Sequence, residues 1–225
     1  MDRITMRIKG HYSCFPRPEH KDERRSYPIP TPSAIRMICN AVYWKPRGNW
    51  EPEELRVIKK GRAMSLMRNE LRDRPNASSV VDLEKNHTQR RTTLLADVEY
   101  EVTCRWVPNP GYEIRDKDEE DDLNPTKHIS IFNRRLSKGQ FFKKPYGGLR
   151  EFPVEVSVVD TPKTPLTDWN EDLGLMFHGI DRGVGYYSGT KATPCFFHAK
   201  IVGGVLQYPS ATSSSLVRMV PCSKT

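Results

Sequence analysis

Asn124-Pro125-Thr126-Lys127-His128-Ile129-Ser130-Ile131-Phe132-Asn133-Arg134-Arg135-Leu136-Ser137-Lys138-Gly139 reads as one helix with both ends marked. Asn124 is a good N-cap. Pro125 suits the first helical position, where the missing N–H would have no intrahelical partner anyway. Ile129, Phe132 and Leu136 recur at helical spacing, and Gly139 closes the helix, which is expected over 125–138. Upstream, Val98 to Val107 reads as a strong strand, with Val98, Tyr100, Val102, Cys104 and Trp106 on one face. Downstream, Val154, Val156 and Val158 alternate in another strand.

Nearer the N-terminus, residues 3–9 alternate polar and apolar, as a strand does. A Pro-rich, charged loop runs from about Phe15 to Pro30. Thr31 can cap a helix with Pro32 at its first position, Ala34, Ile35, Ile38, Ala41 and Val42 on its core face, and Pro46 as its stop. A strand is expected over Leu55–Lys60. Residues 61–93 read as irregular and basic, with Arg62, Arg68, Arg72, Arg74, Arg90 and Arg91. The order is β-α-β-β-α-β, the α+β, ferredoxin-like (RRM-like) arrangement of many RNA-binding sheets, although no aromatic consensus for base stacking on the sheet is present. From about residue 160 the pattern changes. Leu173–Ile180 reads as a strand, and Cys195–Ile201 and Val205–Tyr208 flank the hairpin signal Gly203-Gly204. The reading is thus a ferredoxin-like domain over 1–158 and a small antiparallel β subdomain over 159–225, with a mobile Ser/Thr-rich tail after Pro209.

The chain has 225 residues, enough for a substantial core, and a formal net charge of +8. Six acids and one lysine fall within Asp116–Asp122, so the rest of the chain carries +13. That excess points to a polyanion, most simply nucleic acid. The five cysteines include no C-x-x-C and the six histidines no H-x-x-x-H, which argues against a disulfide scaffold, a zinc ribbon or any other metal site. The N-terminus reads as a strand rather than a signal peptide, and no apolar run approaches ~18 residues, so a soluble cytoplasmic protein without membrane association is expected.

Lys127 and His128 share the first turn of a helix, where the dipole and free N–H groups favour an anion. Arg134 and Arg135 follow seven residues on. Then comes the basic, aromatic, glycine-bearing run Gln140-Phe141-Phe142-Lys143-Lys144-Pro145-Tyr146-Gly147-Gly148. An RNA 2′-OH can attack its own 3′ phosphate to leave a 2′,3′-cyclic phosphate, a reaction that needs proton transfer and charge stabilisation but no metal or cofactor. His128 titrates near neutral pH and can move the proton, and Lys127 can hold the phosphate oxygens.

Two segments resemble one family. The first runs from Phe15-Pro16-Arg17-Pro18-Glu19 through Arg24-Arg25-Ser26-Tyr27 and Thr31-Pro32-Ser33-Ala34 to Tyr43-Trp44-Lys45-Pro46. The second runs from Lys127-His128 through Arg134-Arg135 to Pro145-Tyr146-Gly147-Gly148-Leu149-Arg150-Glu151-Phe152. Arg68-Asn69-Glu70 and Asp172-Leu173-Gly174 fit as well. Together they resemble the CRISPR-associated RAMP protein of subtype I-C, the Dvulg-type fifth Cas family, over roughly residues 4 to 209. The resemblance implies a metal-independent endoribonuclease that cuts the repeat hairpin of precursor CRISPR RNA. It would then stay on the 5′ handle beside the other subunits of the interference complex, with duplex DNA a further candidate partner. It implies catalytic roles for Tyr43, Lys127 and His128. RNA contacts are expected from Arg24, Arg25, Arg36, Lys45, Arg68, Arg134, Arg135, Lys143 and Lys144. Whether Tyr43 or His128 is the general base stays open, since a tyrosine of pKa near ~10 is a poor base at neutral pH unless perturbed. The family usually has Gly-Cys-Arg-Glu-Phe where this chain has Gly148-Leu149-Arg150-Glu151-Phe152, a change expected to affect packing. The alternative reading is a subunit that grips the handle without cutting it.

Overall fold

The computed structural model describes residues 3–20, 22–72, 82, 84–109, 123–181 and 192–218. The acidic run 116–122 and Arg74 lie outside them. The strands are β1 Arg3–Ser13, β2 Arg24–Arg25, β3 Gly48–Lys59, β4 Arg62–Leu71, β5 His87–Pro108, β6 Glu155–Val158, β7 Glu171–Asp181, β8 Thr193–Ile201, β9 Val205–Gln207 and β10 Val217–Arg218; the helices are α1 Pro32–Val42 and α2 Pro125–Ser137. Among the described residues the architecture is α+β, mainly antiparallel sheet with two helices.

The main sheet runs β6-β1-β5-β3-β9, every neighbouring pair antiparallel. Both helices begin as their sequences dictate. Thr31 Oγ1 accepts from Ala34 N–H at 3.1 Å, and Asn124 Oδ1 from Thr126 N–H at 3.0 Å. Ile35, Ile38, Val42, Ile129, Phe132 and Leu136 join one core with Ile4, Met6, Ile8, Leu55, Tyr100, Val102 and Trp106. Phe132 is fully buried, 4.7 Å from Trp50 between ring centroids, and its truncation to alanine should cost about 3–5 kcal/mol.

The opposite face of this sheet is held by charge. Arg7 Nη2 donates to Glu101 Oε1 at 2.7 Å, Lys163 N–H donates to the same oxygen at 3.0 Å, and Arg56 lies 3.5 Å from Oε2. Glu101 is buried, so these partners are what make its charge tolerable there. The segment carrying Thr161 and Lys163 crosses this face and is tied down by Arg7, Arg56 and Leu166 N–H to Val57 O. This face therefore offers ion pairs instead of an aromatic platform.

The region expected to be irregular holds a long hairpin instead. β4 pairs with the first half of β5, from Arg62 against Ala96 to Leu71 against His87. It was hidden because β4 buries neither face, so no polar–apolar alternation marks it. β5 turns at Asp97, whose φ of 57° is tolerable for aspartate, and its second half joins β1 and β3. Gly148, with φ 87°, lies so close to β1's end that a Cβ there would sit 1.8 Å from Cys14 O. Leu149 next to it packs partly buried against the Cys14, Leu94 and Phe152 cluster, so the departure from the family's usual cysteine is met by apolar neighbours.

β7, β8 and β10 form a second antiparallel sheet. Gly203 and Gly204, with φ 57° and 72°, make the expected two-residue turn, closed by reciprocal bonds between Val202 and Val205. Its arms then diverge, β8 into the second sheet and β9 onto β3. The segment after Pro209, expected to be mobile, buries Leu216 and pairs Val217–Arg218 with β8.

Candidate active site and nucleic-acid interface

Tyr43 ends α1. Its backbone turns extended (φ −153°, ψ 122°), its N–H bonds Cys39 O, and its carbonyl accepts the Trp50 indole N–H at 3.0 Å. These bonds fix the ring, which lies 6.3 Å from Trp106. His128, in the first turn of α2, stacks on Trp106 with ring centroids 4.3 Å apart and planes 27° apart. Its Nδ1 is 3.0 Å from the Tyr43 hydroxyl. The fold has thus brought the ends of two helices together over one tryptophan.

This hydrogen bond holds one proton between two groups that can both give and take it. With the proton on Tyr43, His128 Nδ1 is the acceptor and a base for the hydroxyl; with the proton on Nδ1, the phenolic oxygen accepts. His128 is 0% exposed and Tyr43 6%. Lys127 is half-buried in the same helical turn. A lysine there opposes the helix dipole at a cost of about 0.3–1 kcal/mol, and the turn carries no acidic residue to offset it. The dipole and free N–H groups of the α2 N-terminus favour an anion, and a phosphate is one.

The cations expected to hold RNA fall into four groups. Lys45 and Lys143 are exposed around the end of α1, where Phe142 N–H and Lys143 N–H both donate to Ala41 O, at 2.7 and 3.2 Å, and exposed Lys144 follows beside Lys9 and Glu155. Arg134 and Arg135 occupy the last turn of α2, from which Gln140 N–H bonds back to Arg135 O. Arg24 and Arg68 are engaged already: Arg24 is 3.1 Å from Glu70, and Arg68 pairs with Glu70 at 2.7 Å and with Glu151 at 2.5 Å. Arg25 is exposed beside them. Arg36 faces the second sheet, where Nη2 donates to His178 O at 3.1 Å and sits 3.4 Å from its Nδ1. Burial, then the Arg36 charge, lowers the His178 pKa to about 4, so this imidazole is neutral near pH 7. Sequence reasoning put Trp106 on a buried strand face but missed that it carries His128. It also missed Glu70 and Glu151 as partners of the arginines.

A basic α+β chain with a tyrosine–histidine proton pair and a lysine at a helix N-terminus is of the class that handles nucleic-acid phosphates. The chain matches, over residues 4–209, the family described as CRISPR-associated protein (Cas_Cas5), in its Cas5d form. It is 39% identical over 227 residues to the CRISPR pre-crRNA endoribonuclease Cas5d of Mannheimia succiniciproducens, covering 92% of this chain and 95% of that one. It is 36% identical over 233 residues to the protein of the same name from Thermus thermophilus, covering 97% and 96%. A solved structure described as a CRISPR-associated protein superposes with a TM-score of 0.66 at 23% identity, covering 96% of each chain, and shares the fold. The chain belongs to the Cas5 family of CRISPR-associated proteins, in its Cas5d branch of subtype I-C.

Proposed function

We propose that this chain is a pre-crRNA endoribonuclease that cuts CRISPR repeat hairpins and keeps the 5′ handle of the product. The Tyr43–His128 hydrogen bond of 3.0 Å, beside Lys127 at a helix N-terminus, is the observation that carries the reading. In the reaction the 2′-oxygen of the nucleotide 5′ to the cut attacks phosphorus, and the 3′-phosphate becomes a 2′,3′-cyclic phosphate. The P–O5′ bond breaks and the downstream fragment leaves with a 5′-OH. Tyr43 meets the 2′-OH and takes its proton while passing its own to His128, a relay that the burial of His128 behind Tyr43 supports, and the leaving 5′-oxygen takes a proton from water. Lys127 holds the non-bridging oxygens as charge grows in the transition state. No metal takes part in this scheme, because the nucleophile belongs to the substrate.

The strand order β6-β1-β5-β3 with both helices packed in one core supports reading residues 1–158 as a ferredoxin-like domain, with 159–225 as its β subdomain. Exposed Lys45, Arg25, Arg134, Lys143 and Lys144 support a phosphate track from the ends of α1 and α2. Other subunits of a type I-C interference complex are the protein partners implied by family membership; duplex DNA is a further one. Cytoplasmic location accords with CRISPR RNA as substrate. Among the described residues, no helix is long and apolar enough to cross a membrane.

Incubating the purified chain with its own repeat RNA in EDTA and mapping both product ends tests the reading. Full burial of His128 favours a second one, a handle-binding subunit in which the Tyr43–His128 pair only braces two helices. Wild-type single-turnover rates in Tyr43→Phe, Lys127→Ala and His128→Ala would establish that second reading instead.

A further inference from the structure

Phe142 is 72% exposed, the most of any large hydrophobic side chain among the described residues, and Trp44 is 43% exposed. Neither belongs to a floppy segment. The backbone of Phe142 is pinned to Ala41 O by a 2.7 Å hydrogen bond, reinforced by Lys143 N–H at 3.2 Å. Ala41 lies two residues before Tyr43 and three before Trp44. The fold therefore joins Tyr43-Trp44-Lys45 and Phe141-Phe142-Lys143 at the end of α1, the element that ends in Tyr43 of the Tyr43–His128 pair. Lys45 and Lys143 are exposed there, and neither makes an ion pair with another described residue, unlike Arg24 and Arg68.

Building on the endoribonuclease reading, we propose that Phe142, with Trp44, is a stacking surface for unpaired nucleotides that adjoin the cut phosphate. Exposed rings interleaved with unpaired cations suit single-stranded RNA, whose bases stack on aromatic side chains while lysines meet the backbone. The buried core of a protein–protein interface is instead depleted in lysine. Stacking needs an open base face, so the ligand is the unpaired flank of the hairpin, not its paired stem. A base held there places the neighbouring 2′-OH at Tyr43, making Phe142 a positioning contact for the substrate.

The test uses the full chain and repeat RNAs carrying 2-aminopurine at single positions around the cut. Wild-type protein should quench the probe at one or two unpaired positions. Phe142→Ala should abolish that quench and raise the half-saturating RNA concentration about 5- to 100-fold, with a much smaller change in the maximal single-turnover rate. Phe142→Trp should restore both. Unchanged quenching and affinity in Phe142→Ala would overturn the proposal. So would normal RNA behaviour combined with lost assembly onto the other complex subunits, which would make this a protein contact. Quenching without any cleavage by wild type would support the stacking surface while refuting the cutting role of Tyr43 and His128.

Discussion

Tyr43 and His128, 85 residues apart in sequence, share a single hydrogen bond of 3.0 Å and both lie against Trp106. In the proposed mechanism the proton in that bond is the one passed on during cleavage. Tyr43→Phe keeps the ring and its packing and removes only the hydroxyl. Cleavage should slow by ~10²–10⁴-fold under single-turnover conditions, with RNA affinity nearly unchanged. His128→Ala should slow it at least as much. Lys127→Ala should weaken binding as well as slow chemistry, because the phosphate carries charge before the transition state. Thermal melts of each variant separate these effects from loss of fold.

In the proposed reaction the substrate supplies its own nucleophile, so cleavage should persist in chelator. It should leave a cyclic phosphate upstream and a 5′-OH downstream. A 2′-deoxy nucleotide 5′ to the cut should stop the reaction while leaving binding largely intact. Strict need for a divalent ion, with the RNA hairpin shown to be folded without it, would overturn the proposed chemistry, as would normal cutting of the deoxy substrate.

Removing the charge of Lys45, Lys143 or Lys144 should reduce the salt dependence of RNA binding, by ~0.7 in slope for each single-strand phosphate that is no longer neutralised. Arg24→Ala and Arg68→Ala should change that slope less, since Glu70 and Glu151 already hold both charges. Fluorescence anisotropy titrations across salt concentrations give the slopes. An equal reduction in both sets would mean that the Glu70–Glu151 pairs exchange for phosphate on binding.

His178 makes stability pH-dependent. Burial and Arg36 lower its pKa from 6.5 to about 4 in the fold. Between those values the unfolded chain binds more protons than the folded one. Stability is therefore fully present above pH ~6.5 and falls as the pH drops toward 4, by about 2 kcal/mol at pH 5 from this group. Glu99, Glu151 and Glu171 have lowered pKa values and lose their own contribution at lower pH. Denaturant melts at pH 7 and pH 5 should show the loss, and His178→Gln should shrink it.

Local punctuation made much of this legible in advance. Asn124, Pro125 and Gly139 bounded α2, Thr31 and Pro32 opened α1, and Gly203-Gly204 marked a turn. What stayed hidden depends on tertiary partners. β4 is held by ladder bonds to β5 and has no buried face to reveal it. Arg68 looked like a phosphate ligand until Glu151, 83 residues away, arrived beside it. Arg36 on a helix surface gave no sign that β7 would cover it. Tyr43 and His128 were paired in advance only through the family resemblance, since nothing local links the end of one helix to the start of another.

The strand that completes β3 is made late. β9 pairs with Glu54–Arg56, and Glu54 bonds Gln207, 153 residues downstream. At ~5–20 residues per second of synthesis, the β3 edge waits roughly 10–30 s on the ribosome before its partner has been translated. An open edge is a template for pairing with other chains. Pro52, Glu53, Glu54 and Arg56 cluster at this edge, and β3 slips register between Pro52 and Glu54. During that interval the proline, the charges and the irregularity act as a guard against co-translational misassembly, until the last strand of the main sheet arrives.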